Sequence, residues 1–117
     1  MDKTKKIDLK KIEVRDLNRI LQKRDGNNFN YFNIINPMGA HAIATGLDND
    51  IDVLIDGHVG YYCAGMNQQS SVTINGNAGV GIAENMMSGK VVVRGDASQS
   101  AGATGHGGLL VIEGNAS

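Results

Sequence analysis

Cysteine, proline and aromatic residues are scarce in this sequence of 117 residues, which holds one cysteine, one proline, no tryptophan and five phenylalanine or tyrosine residues. Because Cys63 stands alone, the chain cannot form an internal disulfide, a CxxC redox pair, or a zinc or iron–sulfur site built from its own cysteines. Such cysteine usage is typical of a reducing cytosol, so we expect a cytoplasmic protein.

Long apolar runs are also absent. No stretch approaches the ~18 consecutive apolar residues that span a bilayer. The charged residues that follow Met1 are unlike the apolar core of a secretory leader. We therefore expect no association with a membrane.

Basic residues are rare outside the first 25 positions. Nine of the eleven Lys and Arg residues lie in residues 1–25, which carry a net charge of +4, whereas the rest of the chain carries −5. The overall net charge of −1 gives no general attraction to nucleic acid. We predict that residues 1–37 form a basic N-terminal segment with a short helix over residues 16–24, for which Asp16 is a candidate N-cap.

Glycine, in contrast, is abundant, and from residue 51 onward it marks an internal repeat. The segments VLIDGHVG, VTINGNAG, VVVRGDAS and LVIEGNAS begin at residues 53, 72, 91 and 110 and align without a gap. This fixed 19-residue period predicts stacked units joined by equivalent turns. The glycines at these turns are Gly57, Gly76, Gly95 and Gly114.

These units predict a mainly β protein, a right-handed parallel β-helix of 19-residue coils with a short N-terminal α/β segment. Strand alternation places two columns of β-branched residues and one column of small residues inside the coil. Glycine at the turn fits a backbone that needs positive φ or a close approach to the next coil. The inward columns are Val53/Val72/Val91/Leu110, Ile55/Ile74/Val93/Ile112 and Val59/Ala78/Ala97/Ala116.

One outward column is more apolar than an isolated solenoid requires. It consists of Leu54, Thr73, Val92 and Val111. Two interpretations stay open: ordinary β-propensity on a covered face, or a docking stripe for the basic N-terminal segment or another subunit.

The residues that could carry chemistry do not form a recognisable constellation. His58 and His106 fall at different phases of the repeat and His41 lies outside it, so the three histidines predict no metal site. Cys63 lies among small residues and is expected to be a buried, inert thiol. The glycine-rich stretches lack the lysine and the helix of a phosphate loop. We therefore predict no catalytic, cofactor-binding or metal-binding residue in this chain.

The repeat resembles a known family over residues 38–117. The residues that carry the resemblance are 75–81 (NGNAGVG), 87–97 (MSGKVVVRGDA) and 102–114 (GATGHGGLLVIEG). They are similar to the GXGXG repeat, the C-terminal β-helix domain of glutamate synthase large chains. The likeness is strongest to the stand-alone form, the small subunit of glutamate-synthase-like complexes such as methylamine–glutamate N-methyltransferase.

This resemblance implies a structural subunit without catalytic residues of its own. Its expected partners are a glutaminase-type amidotransferase subunit and an FMN-containing synthase subunit, and FMN and iron–sulfur clusters are expected on those partners. The complex would transfer ammonia or methylamine in the formation of glutamate or N-methylglutamate. Because Ser117 falls inside a repeat, we also expect further coils after it.

Two other functions remain open at this stage. The same β-helix occurs in one of the subunits of formylmethanofuran dehydrogenase, a one-carbon enzyme whose partner chain carries a pterin-bound metal. Alternatively, the chain is a free-standing β-solenoid binding module that purifies without an enzyme.

Overall fold

A computed structural model describes residues 4–116 and confirms the predicted mainly β, parallel β-helix fold. Six strands form one parallel sheet in sequence order, and one short helix lies between the first two strands. In chain order the elements are β1 (Thr4–Asp8), α1 (Val14–Leu21), β2 (Tyr31–Ile35), β3 (Asp52–Asp56), β4 (Ser71–Asn75), β5 (Lys90–Val93) and β6 (Leu109–Ile112).

The strand register confirms the 19-residue period. Val53 pairs with Val72, Val72 with Val91, and Val91 with Leu110. A second ladder of single bridges joins Val59, Ala78, Ala97 and Ala116 on the other side of the turn. Each coil therefore lies on the preceding one without a shift, as the sequence repeat predicts.

The predicted inward columns form a large part of the core, together with buried residues of α1 and of the segments between the strands. Val72, Ile74, Val91 and Val93 are buried, and the residues between them face outward. Burying one such side chain contributes about 1.5–3 kcal/mol relative to leaving it exposed, so the stack is held mainly by these columns. In the last coil the corresponding residues differ: Leu110 and Ile112 are half-buried, and Ala116 of the third column is exposed.

The sheet begins earlier than the regular repeat. Strands β1 and β2 lie within residues 1–37, where the sequence predicts a basic segment with a helix, and both join the sheet in register. Ile34 of β2 pairs with Ile7 on one side and with Ile55 on the other, and all three are buried. The connections that lead from β1 to β2 and from β2 to β3 are both longer than those of the regular coils. The extra chain forms α1 and the loops around it.

Helix α1 packs onto the core next to the first coils. Its buried residues are Leu17 and Leu21. Asn18 anchors the helix, because its Nδ2 donates to the carbonyl of Ala42 at 2.9 Å and its Oδ1 accepts from the backbone N–H of Ala44 at 2.7 Å. The helix begins two residues earlier than predicted. Its N-cap is Glu13, without a side-chain capping bond, so Asp16 lies in the first turn and the prediction that it caps the helix is wrong.

The turn glycines let neighbouring coils approach closely. A Cβ on Gly76 would lie 2.5 Å from the carbonyl oxygen of Gly57, and a Cβ on Gly95 would lie 2.7 Å from that of Gly76. Real Cβ atoms essentially never come so close to a backbone atom. Of the four turn glycines, only Gly57 has positive φ, +133°. Close packing between coils, rather than a left-handed backbone, is therefore what requires glycine at the later turns.

A different corner of each coil does use the left-handed region. Three alternate positions in successive coils have positive φ, and most of these positions hold residues other than glycine. Their N–H groups bond carbonyls of neighbouring coils, as Tyr62 does to Val80 and Ala64 to Ile43, both at 2.9 Å. The inter-coil bonds offset the local cost of this backbone. The positions are Tyr62/Ala64/Met66, Gly81/Ala83/Asn85 and Ser100/Gly102/Thr104.

Candidate functional site

The candidate docking stripe is a continuous column on the outer face of the sheet. Leu54 pairs with Thr73, Thr73 with Val92, and Val92 with Val111. Leu54 is 38% exposed, and the other three are half-buried. These side chains lie side by side because strand alternation points them away from the core on every rung. The column becomes polar at its N-terminal end, where Asn33 of β2 continues it.

A shallow groove of about 320 Å³ runs along this face. Leu54 and Thr73 of the stripe contribute to it, Tyr31 borders it on β2, and Asp52 and Arg94 add one charge of each sign. The groove is thus mixed, with Leu54 and Tyr31 beside mostly polar side chains, and protein–protein contacts are enriched in aromatic and arginine residues. The full lining is Thr4, Tyr31, Phe32, Asn33, Asp52, Val53, Leu54, Ser71, Thr73 and Arg94.

A polar cluster lies beside the stripe at the ends of the strands. The Asp56 carboxylate accepts a hydrogen bond from Asn33 Nδ2 at 2.8 Å and another from Asn75 Nδ2 at 3.2 Å. These two bonds lower the pKa of Asp56, because they stabilise its charged form. The cluster links three successive coils. We assign it a structural role, since both carboxylate oxygens have protein partners.

A ladder of side-chain bonds follows the turn glycines. His58 Nδ1 accepts from the N–H of Asn77 at 2.9 Å, Asn77 Oδ1 accepts from the N–H of Asp96 at 2.8 Å, and Asp96 Oδ1 accepts from the N–H of Asn115 at 2.8 Å. All four residues are exposed and lie one position after a turn glycine. The sequence repeat places these residues in one column. It does not reveal that His58, Asn77 and Asp96 all act as hydrogen-bond acceptors, because the three residue types differ.

The other two histidines are exposed as well. His41 stacks on Tyr61 with ring centroids 4.5 Å apart, and its Nδ1 accepts from the Tyr61 N–H at 2.8 Å. His106 borders a surface depression of about 310 Å³ together with Met66 and Met87. His58 and His106 border different features of the surface, and the segments that carry His41 and His58 are neighbours, since Gly39 N–H donates to the His58 carbonyl. Within residues 4–116 no three His, Cys, Asp or Glu side chains are grouped so that they could hold a metal ion.

Cys63 is fully buried in the core, which confirms the expectation of a buried thiol. Burial raises its pKa to about 12, because the thiolate would lose its hydration there. A thiol that stays protonated is a poor nucleophile. In the described part of the chain, no helix is both long enough and apolar enough to cross a bilayer.

One curated protein shares a long segment with this chain. The chain is 56% identical over 62 residues to Protein GlxC of Rhizobium meliloti (strain 1021). That match covers 52% of this chain but only 27% of the relative. No protein-family model matches the chain, and no solved structure matches it. The relationship to Protein GlxC is thus at the level of one shared segment.

The aromatic and sulfur-containing side chains on the left-handed corner were not predicted as a surface. Tyr61, Tyr62, Met66 and Met87 are each about half-exposed. In the sequence they fall in irregular positions between the repeated motifs, where neither strand alternation nor glycine spacing indicates which way they point.

Proposed function

We propose that this chain is a non-catalytic β-helix component of a glutamate-synthase-type complex. It holds a glutaminase-type amidotransferase subunit and an FMN-containing synthase subunit in position for the transfer of ammonia or methylamine. FMN and iron–sulfur clusters belong to the partner subunits, and the complex is cytoplasmic.

The observation that carries the scaffold role is the apolar outer column of a regular parallel sheet. In an isolated chain, solvent-exposed apolar surface remains on Leu54, Val92 and Val111, and this surface contributes nothing to stability. Burying it against a partner would contribute about 25 cal/mol per Å². The neighbouring Asp52 and Arg94 supply polar contacts at the margin, which is where interfaces place them.

Two observations support the glutamate-synthase class. The residues that resemble the GXGXG family include β5, β6 and the turn glycines Gly76, Gly95 and Gly114, where the close approach of the coils leaves no space for a Cβ. The segment shared with Protein GlxC extends over half of the chain. The chain spans only about 27% of that relative's length. The activity, cofactors and partners of the complex are therefore our proposal for this chain and are not taken from the relative.

The first test is gentle purification of the native, full-length gene product from its host. A visible absorption spectrum and mass spectrometry then identify bound cofactors and chains. Flavin absorbance together with a glutaminase-like and an FMN-binding chain is the expected result. A partner with a pterin-bound metal would instead favour the one-carbon enzyme, and a colourless monomer would contradict the proposal.

The second test addresses the stripe itself. We expect the double variant Leu54→Asp/Val92→Asp to fold, because both side chains face outward, but to lose its partner chains during purification. The matched control is Gln99→Asp, at an exposed residue of a corner away from the groove, which should keep them. Circular dichroism confirms that all variants fold. Equal retention of partners by the stripe variant and by the control would overturn the docking role of the stripe.

A further inference from the structure

The first coil of the solenoid concentrates the positive charge of the molecule. Residues 4–27, which we call the basic cap, contain eight Lys and Arg residues against four Asp and Glu residues, a net charge of +4. Residues 28–117 contain two basic and seven acidic residues, a net charge of −5. Because β1 and α1 pack on the core through their apolar sides, their charges face the solvent.

The charges of the basic cap are largely unneutralised. Arg15, Arg19 and Arg24 are exposed, and within residues 4–116 their guanidinium groups have no hydrogen bond or ion pair. Two of the four carboxylates are held locally: Asp8 accepts from Asn36 Nδ2 at 2.9 Å, and Asp25 accepts from Asn27 Nδ2 at 2.6 Å. The local structure therefore leaves the arginines available to an external partner.

The arginines of α1 repel each other, although Arg19 lies in the last turn, where the helix dipole favours a positive charge. Arg15 and Arg19 lie four residues apart on α1, so they are neighbours on the helix surface, and like charges at this spacing destabilise a helix. The planar guanidinium group of an arginine binds a carboxylate through two parallel hydrogen bonds. A surface bearing clustered Asp and Glu would convert this repulsion into paired contacts.

The outer edge of β1 is protected against pairing with a strand of another protein. Lys5 occupies the inward register position of β1, and its ammonium lies 5.7 Å from the centroid of the Phe29 ring. The Lys5 side chain is nevertheless exposed, and a lysine on an edge strand is a known protection against pairing with another strand. Contacts at this end are therefore made by side chains rather than by an added strand.

We infer that the basic cap is a docking surface for an acidic face of a partner protein. An acidic protein surface of about the same size as the basic cap would contact the cap alone. A nucleic acid duplex carries a charge every ~1.7 Å along its axis and would extend beyond the cap onto the acidic remainder of the chain. This inference does not depend on the glutamate-synthase assignment, since it rests on charge and geometry alone.

The test measures binding of the full chain to a fluorescent polyglutamate peptide, at low and at physiological salt. We expect binding that weakens with salt, because surface charges are screened over a Debye length of about 8 Å at physiological ionic strength. Arg15→Glu/Arg19→Glu should weaken it by roughly tenfold or more. The control Gln68→Glu/Lys90→Glu/Gln99→Glu makes the same change in net charge at exposed residues outside the basic cap and the groove, and it should have little effect.

Three results would overturn the inference: no binding at low salt, equal weakening by the arginine variant and by the control, or tighter binding to a duplex DNA of similar length than to the peptide. A second measurement uses the chains that co-purify with the native protein. Carbodiimide coupling joins a lysine amine to a contacting carboxylate with loss of water, and it should link Lys10, Lys11 or Lys23 to an acidic partner segment. Partner links confined to Lys90, outside the basic cap, would also contradict the inference.

Discussion

At the scale of single residues, the stack depends on positions where one additional atom has no space. The turn glycines are the clearest case, since the coil spacing leaves no volume for a Cβ at Gly76. The glycine spacing predicts this turn from the sequence. It does not predict the left-handed corners, because residues such as Tyr62 and Met66 normally avoid positive φ and become favourable there only through bonds to neighbouring coils.

We expect Gly76→Ala to lower the free energy of unfolding by roughly 1–3 kcal/mol, because the new methyl group would overlap the carbonyl oxygen of Gly57. Gly65→Ala is the matched control. Its Cβ would be 3.4 Å from the nearest atom, an ordinary contact, so its effect should stay within about 0.5 kcal/mol. Urea unfolding followed by circular dichroism measures both. Similar losses for the two variants would contradict the close approach at the turn.

The raised pKa of Cys63 predicts how stability changes at alkaline pH. The buried thiol has a pKa of about 12, above that of an unfolded cysteine, so its contribution is fully present below the unfolded pKa of ~8.5 and is lost as pH rises towards 12. The fall in unfolding free energy above pH ~8.5 should therefore be smaller in Cys63→Ala. Iodoacetamide should label Cys63 at mildly alkaline pH only after denaturant is added, and rapid labelling of the folded protein would exclude a buried thiol.

At the scale of elements, strand alternation separates core positions from surface positions one residue apart. Val93 of β5 is fully buried, whereas its neighbour Val92 is half-buried on the outer face. The sequence predicts this arrangement for β3 to β6 because four aligned segments repeat the same alternation. It does not predict that β1 and β2 extend the sheet, because their spacing departs from the regular period and the outward positions Lys6 and Asn33 are polar.

We expect Val93→Asp to prevent folding, because it buries an unpaired charge between two coils, at a cost of several kcal/mol. Val92→Asp is the internal control and should fold, since its carboxylate reaches solvent. Far-UV circular dichroism and solubility distinguish the two. A soluble, folded Val93→Asp protein would show that the inward assignment of β5 is wrong.

At the scale of the whole molecule, the chain is a stack in which each coil contacts its neighbours, and the two surfaces proposed for partners lie in different places. The apolar stripe lies on the sheet, and the basic cap covers the first coil. The charge imbalance is visible in the sequence. Its position on the structure is not, because the sequence alone does not show that residues 4–27 pack as part of the solenoid.

The 19-residue register also limits how such a chain can change in length. Removal of residues 72–90 would bring Val91 onto Val53 and preserve every inward column, the glycine turns and the acceptor ladder. Removal of a single residue from a strand of the same coil would send its core side chains to the surface. Insertions and deletions in the regular coils should therefore survive only in steps of one whole coil. The longer connections between β1 and β2 and between β2 and β3 show where extra chain is tolerated, namely in loops and a helix that leave the stack between strands.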